Sequence, residues 1–216
     1  MTFGSIEYLN LLPFQLFLKK YLKNSNIYQG LRYKRDVPSI INKRFKKRII
    51  DAAFISSIES NRCKCTNIGI VASREVRSVF VIPYSDDILD SASASSNKLA
   101  KVLGLNGEVI IGDRALRYYL DGVEMVDLAT EWYKRYRLPF VFARLCYNSH
   151  QKEIERIAKE FIYNNVRIPQ YILKKEAKKR GISPKELTEY LSFIHYDINY
   201  KSDRAFRLFI KRAKRV

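Results

Sequence analysis

Residues 89–99 read LDSASASSNKL, with serine at four of the eleven positions. Serine at the start of a helix accepts a hydrogen bond from a free backbone N–H and caps it. The same helix end carries partial positive charge and unpaired N–H groups, which together suit a carboxylate or phosphate. Ser95 and Ser96 would add neutral hydroxyl donors there. Similar residues recur near strand ends. Asn10 follows an N-terminal strand, Ser56 and Ser57 follow DAAFI (51–55), Ser78 opens a strand, and Asp113 follows EVIIG (108–112). In open α/β sheets the ligand crevice lies beyond the carboxyl ends of the strands. Taken singly, each residue serves a cap or turn. Taken together, they predict a cleft of neutral donors suited to a dicarboxylate.

The elements that would position these groups alternate strand and helix. Strands are expected at 2–6, 31–35, 51–55, 68–72, 78–83, 108–111 and 140–147, rich in β-branched and aromatic residues. Helices are expected at 13–22, 37–45, 97–103, 114–120 and 127–136, with Gly104 as a C-terminal stop. Ile154, Ile157, Ala158, Phe161 and Ile162 form one apolar helical face. A helix at 168–180 ends at Gly181. Ser183-Pro184-Lys185-Glu186 is a capping box, and Leu187, Tyr190, Leu191 and Ile194 line the helix behind it. Asp203 would open a last helix. This alternation predicts an α/β fold with largely parallel sheets. SVFVIP (78–83) and FVFARLCY (140–147) read as two crossing strands. They divide the chain into a first lobe of 1–82 plus 146–216 and a second of 83–145, with the cleft between.

Bulk composition narrows the classes. The chain has 216 residues, 47% of them hydrophobic, which suffices for a sizeable core. No apolar run reaches the roughly 18–20 residues that span a bilayer. The N-terminal stretch shows neither a basic n-region nor a small-residue cleavage site, so a cytoplasmic setting is expected. The three cysteines read as reduced thiols, and Cys63-x-Cys65 lacks the further ligands a zinc site needs. The net charge of +18 comes from separate clusters at 43–48, 174–180 and 210–215, each on a predicted helix. Helix-borne lysines form a solvated face, and no RNA- or DNA-binding motif accompanies them, so nucleic acid is not the expected partner. The same charge can attract a small polyanion.

Several motifs appear in one order: YLNLLPF (8–14), FISSIES (54–60), REVRSV (74–79), LDSASASSNKL, VIIGDRAL (109–116) and VDLATEWYKRYRLPFVFA (126–143). With HYDINYKSDRAFRLFIKRA (195–213), they cover nearly the whole chain. This order resembles the chorismate dehydratases of the futalosine route to menaquinone. Departures stand at Arg74-Glu75, where the family has a Gly-containing pair, and at Ser95-Ser96, where it has Thr-Ser. Tyr136-Arg137 replaces Thr-Gly, Ala129 a Gly after Asp-Leu, and Arg144-Leu145 the Trp after VFA.

The resemblance implies a two-lobed fold like type II periplasmic solute-binding proteins, with two crossing strands and a helical C-terminus. It implies loss of water from chorismate to give 3-[(1-carboxyvinyl)oxy]benzoate, without metal or cofactor. Asn10 and Ser78 are the expected catalytic residues, with Ser56, Ser57, Ser95, Ser96 and Asp113 binding substrate. His150 and His195 read as structural or exposed. The proton acceptor is then the substrate's own enolpyruvyl carboxylate, with Asp113 as the rival base. The remaining readings are the sibling 1,4-dihydroxy-6-naphthoate synthase and a non-catalytic carboxylate receptor.

Overall fold

The computed structural model describes residues 1–23, 32–83, 86–164 and 166–216. Its larger sheet contains β1 (Thr2–Ser5), β2 (Arg32–Arg35), β3 (Ala52–Ser56), β4 (Lys64–Ala72), β8 (Phe140–Tyr147) and β9 (Ile194–Asp197), in the order β2-β1-β3-β8-β4-β9. The smaller sheet contains β5 (Val79–Ile82), β6 (Glu108–Ile111) and β7 (Val126–Asp127), in the order β6-β5-β7. The helices are α1 (Leu12–Lys23), α2 (Pro38–Lys46), α3 (Ser57–Ser60), α4 (Ala94–Leu103), α5 (Gly112–Leu120), α6 (Leu128–Tyr136), α7 (Gln151–Tyr163), α8 (Gln170–Arg180), α9 (Pro184–Ser192) and α10 (Tyr200–Ala213). This is a two-lobed α/β fold with a helical C-terminus.

The alternation was expected to give largely parallel sheets, but the sheets are mixed. Only β1 pairs in parallel, with β2 and β3. The strand β8 runs antiparallel between β3 and β4, and the smaller sheet is antiparallel throughout. The reason is the return of the chain from the second lobe, which inserts β8 in reverse. Val79–Ile82, read from sequence with the first lobe, hydrogen-bonds in the smaller sheet, and Phe140–Tyr147 lies wholly in the larger. Ile194, expected on the helix behind the capping box, instead opens β9, an edge strand on β4. The capping box itself is formed. The last helix starts at Tyr200, capped by Asn199 rather than Asp203. Leu31 lies outside the described residues.

Two aromatic clusters hold the lobes' framework. Phe14 of α1 is buried against Phe3, Phe54 and Phe161, with centroids 5.8, 5.0 and 5.1 Å away. Trp132 of α6 is fully buried against Phe140 and Phe209. Its indole N–H donates to the Pro139 carbonyl at 3.1 Å. Geometries of this kind add about 0.5–1.5 kcal/mol per pair beyond area burial.

At the crossover, one carboxylate organises the backbone. Asp127 Oδ2 accepts from the N–H groups of Val76 (3.0 Å) and Arg77 (2.8 Å). Its Oδ1 accepts from Ala129 (2.8 Å) and Thr130 (2.9 Å), capping α6. Burial pushes this carboxyl above the usual carboxylate range, against the opposing pull of the four N–H groups.

The cysteines differ from expectation. Cys65 on β4 faces Cys146 on β8 in the antiparallel register, and the two form a disulfide. Their separation of 81 residues hides the pairing from any local motif. Cys63 is free, and burial raises its thiol above the ordinary range.

Two departures from the family pattern have a local physical account. Arg137 takes a left-handed backbone (φ 54°) after α6, where the family's glycine would sit without strain. Arg144 lays its guanidinium on the Phe206 ring at 4.7 Å, a flat cation in place of a flat indole, although its Nε is buried without a partner.

Arg137→Gly is therefore expected to raise unfolding free energy by about 1 kcal/mol, because the left-handed penalty disappears. Asp127→Ala is expected to lower it by about 2–4 kcal/mol, leaving backbone donors unpaired. Urea titrations of the purified variants check both.

Candidate functional site

A small hollow lies between the two sheets, near the carboxyl end of β1 and the start of β5. It is lined by Asn10, Ser56, Ser78, Ser93 and Ser96, with Tyr8 and an apolar wall that includes Phe54, Ile70 and Phe142. Of the sequence candidates, Asn10, Ser56, Ser78 and Ser96 meet here. They come from four separate stretches, and packing rather than sequence proximity unites them.

Each hydroxyl is held from behind. Tyr190 on α9 donates to Ser78 Oγ at 3.0 Å, leaving the Ser78 hydrogen free to point inward. Asn42 of α2 donates to Ser56 Oγ at 2.8 Å and accepts from the Ser56 N–H at 3.3 Å. Ser93 caps α4 by accepting from the Ser96 N–H, and its hydroxyl donates to Ser96 Oγ at 2.7 Å. Tyr196 on β9 donates to the Asn10 carbonyl at 2.7 Å. The Asn10 side-chain oxygen is buried and unpartnered, which marks an acceptor awaiting a donor.

The serine-rich stretch is an ordered turn. Asn97 brackets Asp90, donating to its carbonyl at 2.8 Å and accepting from its N–H at 3.0 Å. Asp90 Oδ1 in turn accepts from the Ala92 N–H at 2.7 Å. The pair lining the hollow is Ser93 with Ser96, spaced three residues apart, not Ser95 with Ser96, and the free hydroxyl hydrogen is that of Ser96.

Three candidates are placed elsewhere. Ser95 accepts from the Ile58 N–H at 3.1 Å and fastens α4 to α3. The Ser57 hydroxyl is spent on the Val141 carbonyl. Asp113 takes the Leu9 N–H at 3.3 Å and forms an ion pair with Arg180. Arg180 also donates to the Glu7 carbonyl at 2.9 Å, so Asp113 ties α5 to the first lobe. All three are engaged by protein partners distant in sequence, 37 to 104 residues away.

Sequence reading missed Ser93, Asn42, Tyr8, Tyr190 and Tyr196. Tyr190 stood in an apolar helical stripe, and Asn42 on a helix among hydrophobic residues. Only their partners across the fold reveal them.

The electrostatics of the hollow are simple. No Asp, Glu, His, Lys or Arg lines it among the described residues, and Tyr8 is its one titratable group. Burial, with the nearby charges of Asp90 and Asp113, pushes the Tyr8 phenol up to about 12. Burial raises Tyr190 and Tyr196 as well, so all three remain neutral donors near neutrality. Gly112 is needed beside Tyr8: its φ is +69°, and an added Cβ would stand 3.0 Å from the ring.

The hollow measures about 70 Å³. Small-molecule sites usually occupy about 300–1,000 Å³. The hollow is therefore smaller than the usual site for a ring bearing two carboxylates.

The solved structure of protein AF1704 from Archaeoglobus fulgidus superposes with a TM-score of 0.71, at 12% identity, covering 99% of this chain and 96% of that one. The Candida albicans CA3427 gene product, of the generic periplasmic binding protein fold, gives 0.64 at 11% identity, over 100% of this chain and 90% of that one. The class is thus a two-lobed periplasmic-binding-protein-like protein. Residues 97–215 match the menaquinone biosynthesis family. The chorismate dehydratase of Campylobacter jejuni is 43% identical over 99% of this chain and 98% of its own length. That of Thermus thermophilus is 28% identical over 43% of this chain and 42% of its own. The chain belongs to this menaquinone biosynthesis family, among the chorismate dehydratases.

The Tyr8 shift has a defined sign. The fold prefers the protonated phenol, so its contribution is complete below the ordinary tyrosine value of about 10 and declines as pH rises toward about 12. Unfolding free energy of the native protein minus that of Tyr8→Phe should be level from pH 7 to 9. It should then fall between pH 10 and 12, as read by denaturant titration.

Proposed function

We propose that the chain is a hydro-lyase that converts chorismate into 3-[(1-carboxyvinyl)oxy]benzoate and water, acting in the cytoplasm. The lobes are the first, from residues 1–82 and 146–216, and the second, from 83–145, adjusted at the crossovers to the strand pairing. The ligand sits in the hollow between them. One observation carries the reading: the hollow offers a ring of neutral donors and, among the described residues, no carboxylate or imidazole lines it.

The chemistry follows from the substrate. The proton at ring C3 is vinylogous to the ring carboxylate, so negative charge in the transition state spreads onto that group. Donors fixed in advance on the carboxylate stabilise the developing charge. Ser78 and Ser96 are suited to this, because Tyr190 and Ser93 donate to their oxygens and leave each hydroxyl hydrogen free before substrate arrives. The enolpyruvyl carboxylate takes the C3 proton. The C3–H electron pair forms the new ring double bond as the C4–O bond breaks. The departing hydroxide takes up the proton, and water leaves beside an aromatic ring. Asn10 positions the enolpyruvyl carboxylate through the N–H groups of its side-chain amide.

Asp113 is a poor candidate for the base. Its carboxylate is engaged by Arg180 and the Leu9 N–H, and it does not line the hollow. Glu7 is likewise paired, with Arg35 and Lys179.

Purified protein incubated with chorismate should yield the aromatic ether, seen by its ultraviolet spectrum and mass. Asn10→Ala and Ser78→Ala should each lower kcat by about 10²–10³, the usual loss for a transition-state donor. Asp113→Asn should keep kcat within about tenfold of the native enzyme, since its role is structural. A total loss in Asp113→Asn with substrate still bound would assign the base to Asp113. Tight binding of unchanged chorismate by the native protein would make it a receptor.

A further inference from the structure

A second concavity of about 440 Å³ lies on the far side of Tyr8, between α1, β2 and α8. Its size falls within the range of small-molecule sites, unlike the hollow. Leu9, Leu12, Leu16 and Ile172 supply an apolar floor. Lys19, Arg35, Lys175 and Lys179 supply a cationic rim. Glu7 is shared by Arg35 at 3.2 Å and Lys179 at 3.6 Å. Arg180, also in the wall, is paired with both Glu176 and Asp113. Among the described residues no ion pair engages Lys19 or Lys175. The basin therefore keeps an excess of positive charge over a carbocycle-sized apolar surface.

The two cavities share one wall residue, Tyr8. Among the described residues no cation lines the hollow, although the substrate assigned to it is a dianion. The cations that could draw such a molecule stand next door. We propose that the basin is a second anion site, a docking station that holds a cyclic dicarboxylate before it passes Tyr8 into the hollow. The apolar floor selects a ring, and the lysines select its carboxylates. An inorganic anion would leave the floor uncovered. This role as an entry station rests on the dehydratase reading. The existence of the site does not.

The test uses Lys19→Gln/Lys175→Gln/Lys179→Gln in one protein. A control removes the same charge elsewhere, by Lys211→Gln/Lys214→Gln/Arg215→Gln on and after α10. At low ionic strength the basin variant should lose about tenfold in kcat/KM, with the loss on kcat/KM and not on kcat, and added salt should erase the difference. The control should change kcat/KM less than twofold. The Lys→Arg version of the basin variant should restore the native value. Equal losses in basin and control variants would mean steering by overall charge, and would overturn the proposal, as would no loss in either.

A second measurement does not depend on turnover. Calorimetric titration with benzene-1,3-dicarboxylate should show two equivalents bound to the native protein and one to the basin variant. The same number in both proteins would overturn the site. If the native protein leaves chorismate unchanged, the dehydratase reading fails, and this titration still decides whether the basin binds.

Discussion

The carboxylate of Asp127 is the contact on which the arrangement depends. It gathers four backbone N–H groups from two segments, the farther of them reaching 51 residues from Asp127 along the chain. Two of these N–H groups belong to the stretch that delivers Ser78 to the hollow. The other two start α6, whose Trp132 anchors the return strand. Backbone donors buried without an acceptor cost about 1–3 kcal/mol each, so this single side chain fixes the path of both crossings. Arg77, one residue before Ser78, takes a left-handed backbone (φ 54°) there. It is clasped by Glu75 and Glu189 and lies on the Phe193 ring at 4.0 Å. The strain is tolerated because those contacts over-determine the conformation.

From that fixed path follows the division of charge in the molecule. Charged groups are spent on holding parts together or left in water, and the hollow keeps uncharged donors. Arg180 illustrates the first role, joining α8 to Asp113 and to the backbone at Glu7. The tyrosines illustrate the second. Tyr190 and Tyr196 carry their hydroxyls through the apolar C-terminal layer to the rear of Ser78 and Asn10. A neutral donor at such a depth needs no counter-ion and costs less to bury than an ion. Its orientation is set before a ligand arrives, which is the condition for electrostatic stabilisation of developing charge.

The departures from the family pattern show how a fold accepts local change. Arg137 keeps a glycine's conformation and places its guanidinium near the Tyr133 ring at 5.7 Å. Arg144 keeps the planar contact that an indole would make. Neither touches the hollow, so the substitutions bear on stability and leave the donor ring unaltered. The disulfide between Cys65 and Cys146 joins strands already paired, and it too lies away from the hollow lining.

The sequence by itself determined most of the elements and which polar residues stand at strand ends. Apolar periodicity, the Ser183 capping box and the Gly104 and Gly181 stops depend on neighbours in the chain, so they were legible without a fold. The polar residues at strand ends were legible for the same reason, and Asn10, Ser56, Ser78 and Ser96 do converge on one hollow. Tertiary structure alone decided which hydroxyls face inward. Ser57 and Ser95 differ from Ser56 and Ser96 by one position, and a one-residue step turns a side chain to another face. It alone decided that Asp113 meets Arg180, 67 residues away, and that Cys65 meets Cys146. It also decided that β8 runs antiparallel in the larger sheet. Those outcomes depend on register and on partners distant in sequence, and no local pattern encodes either.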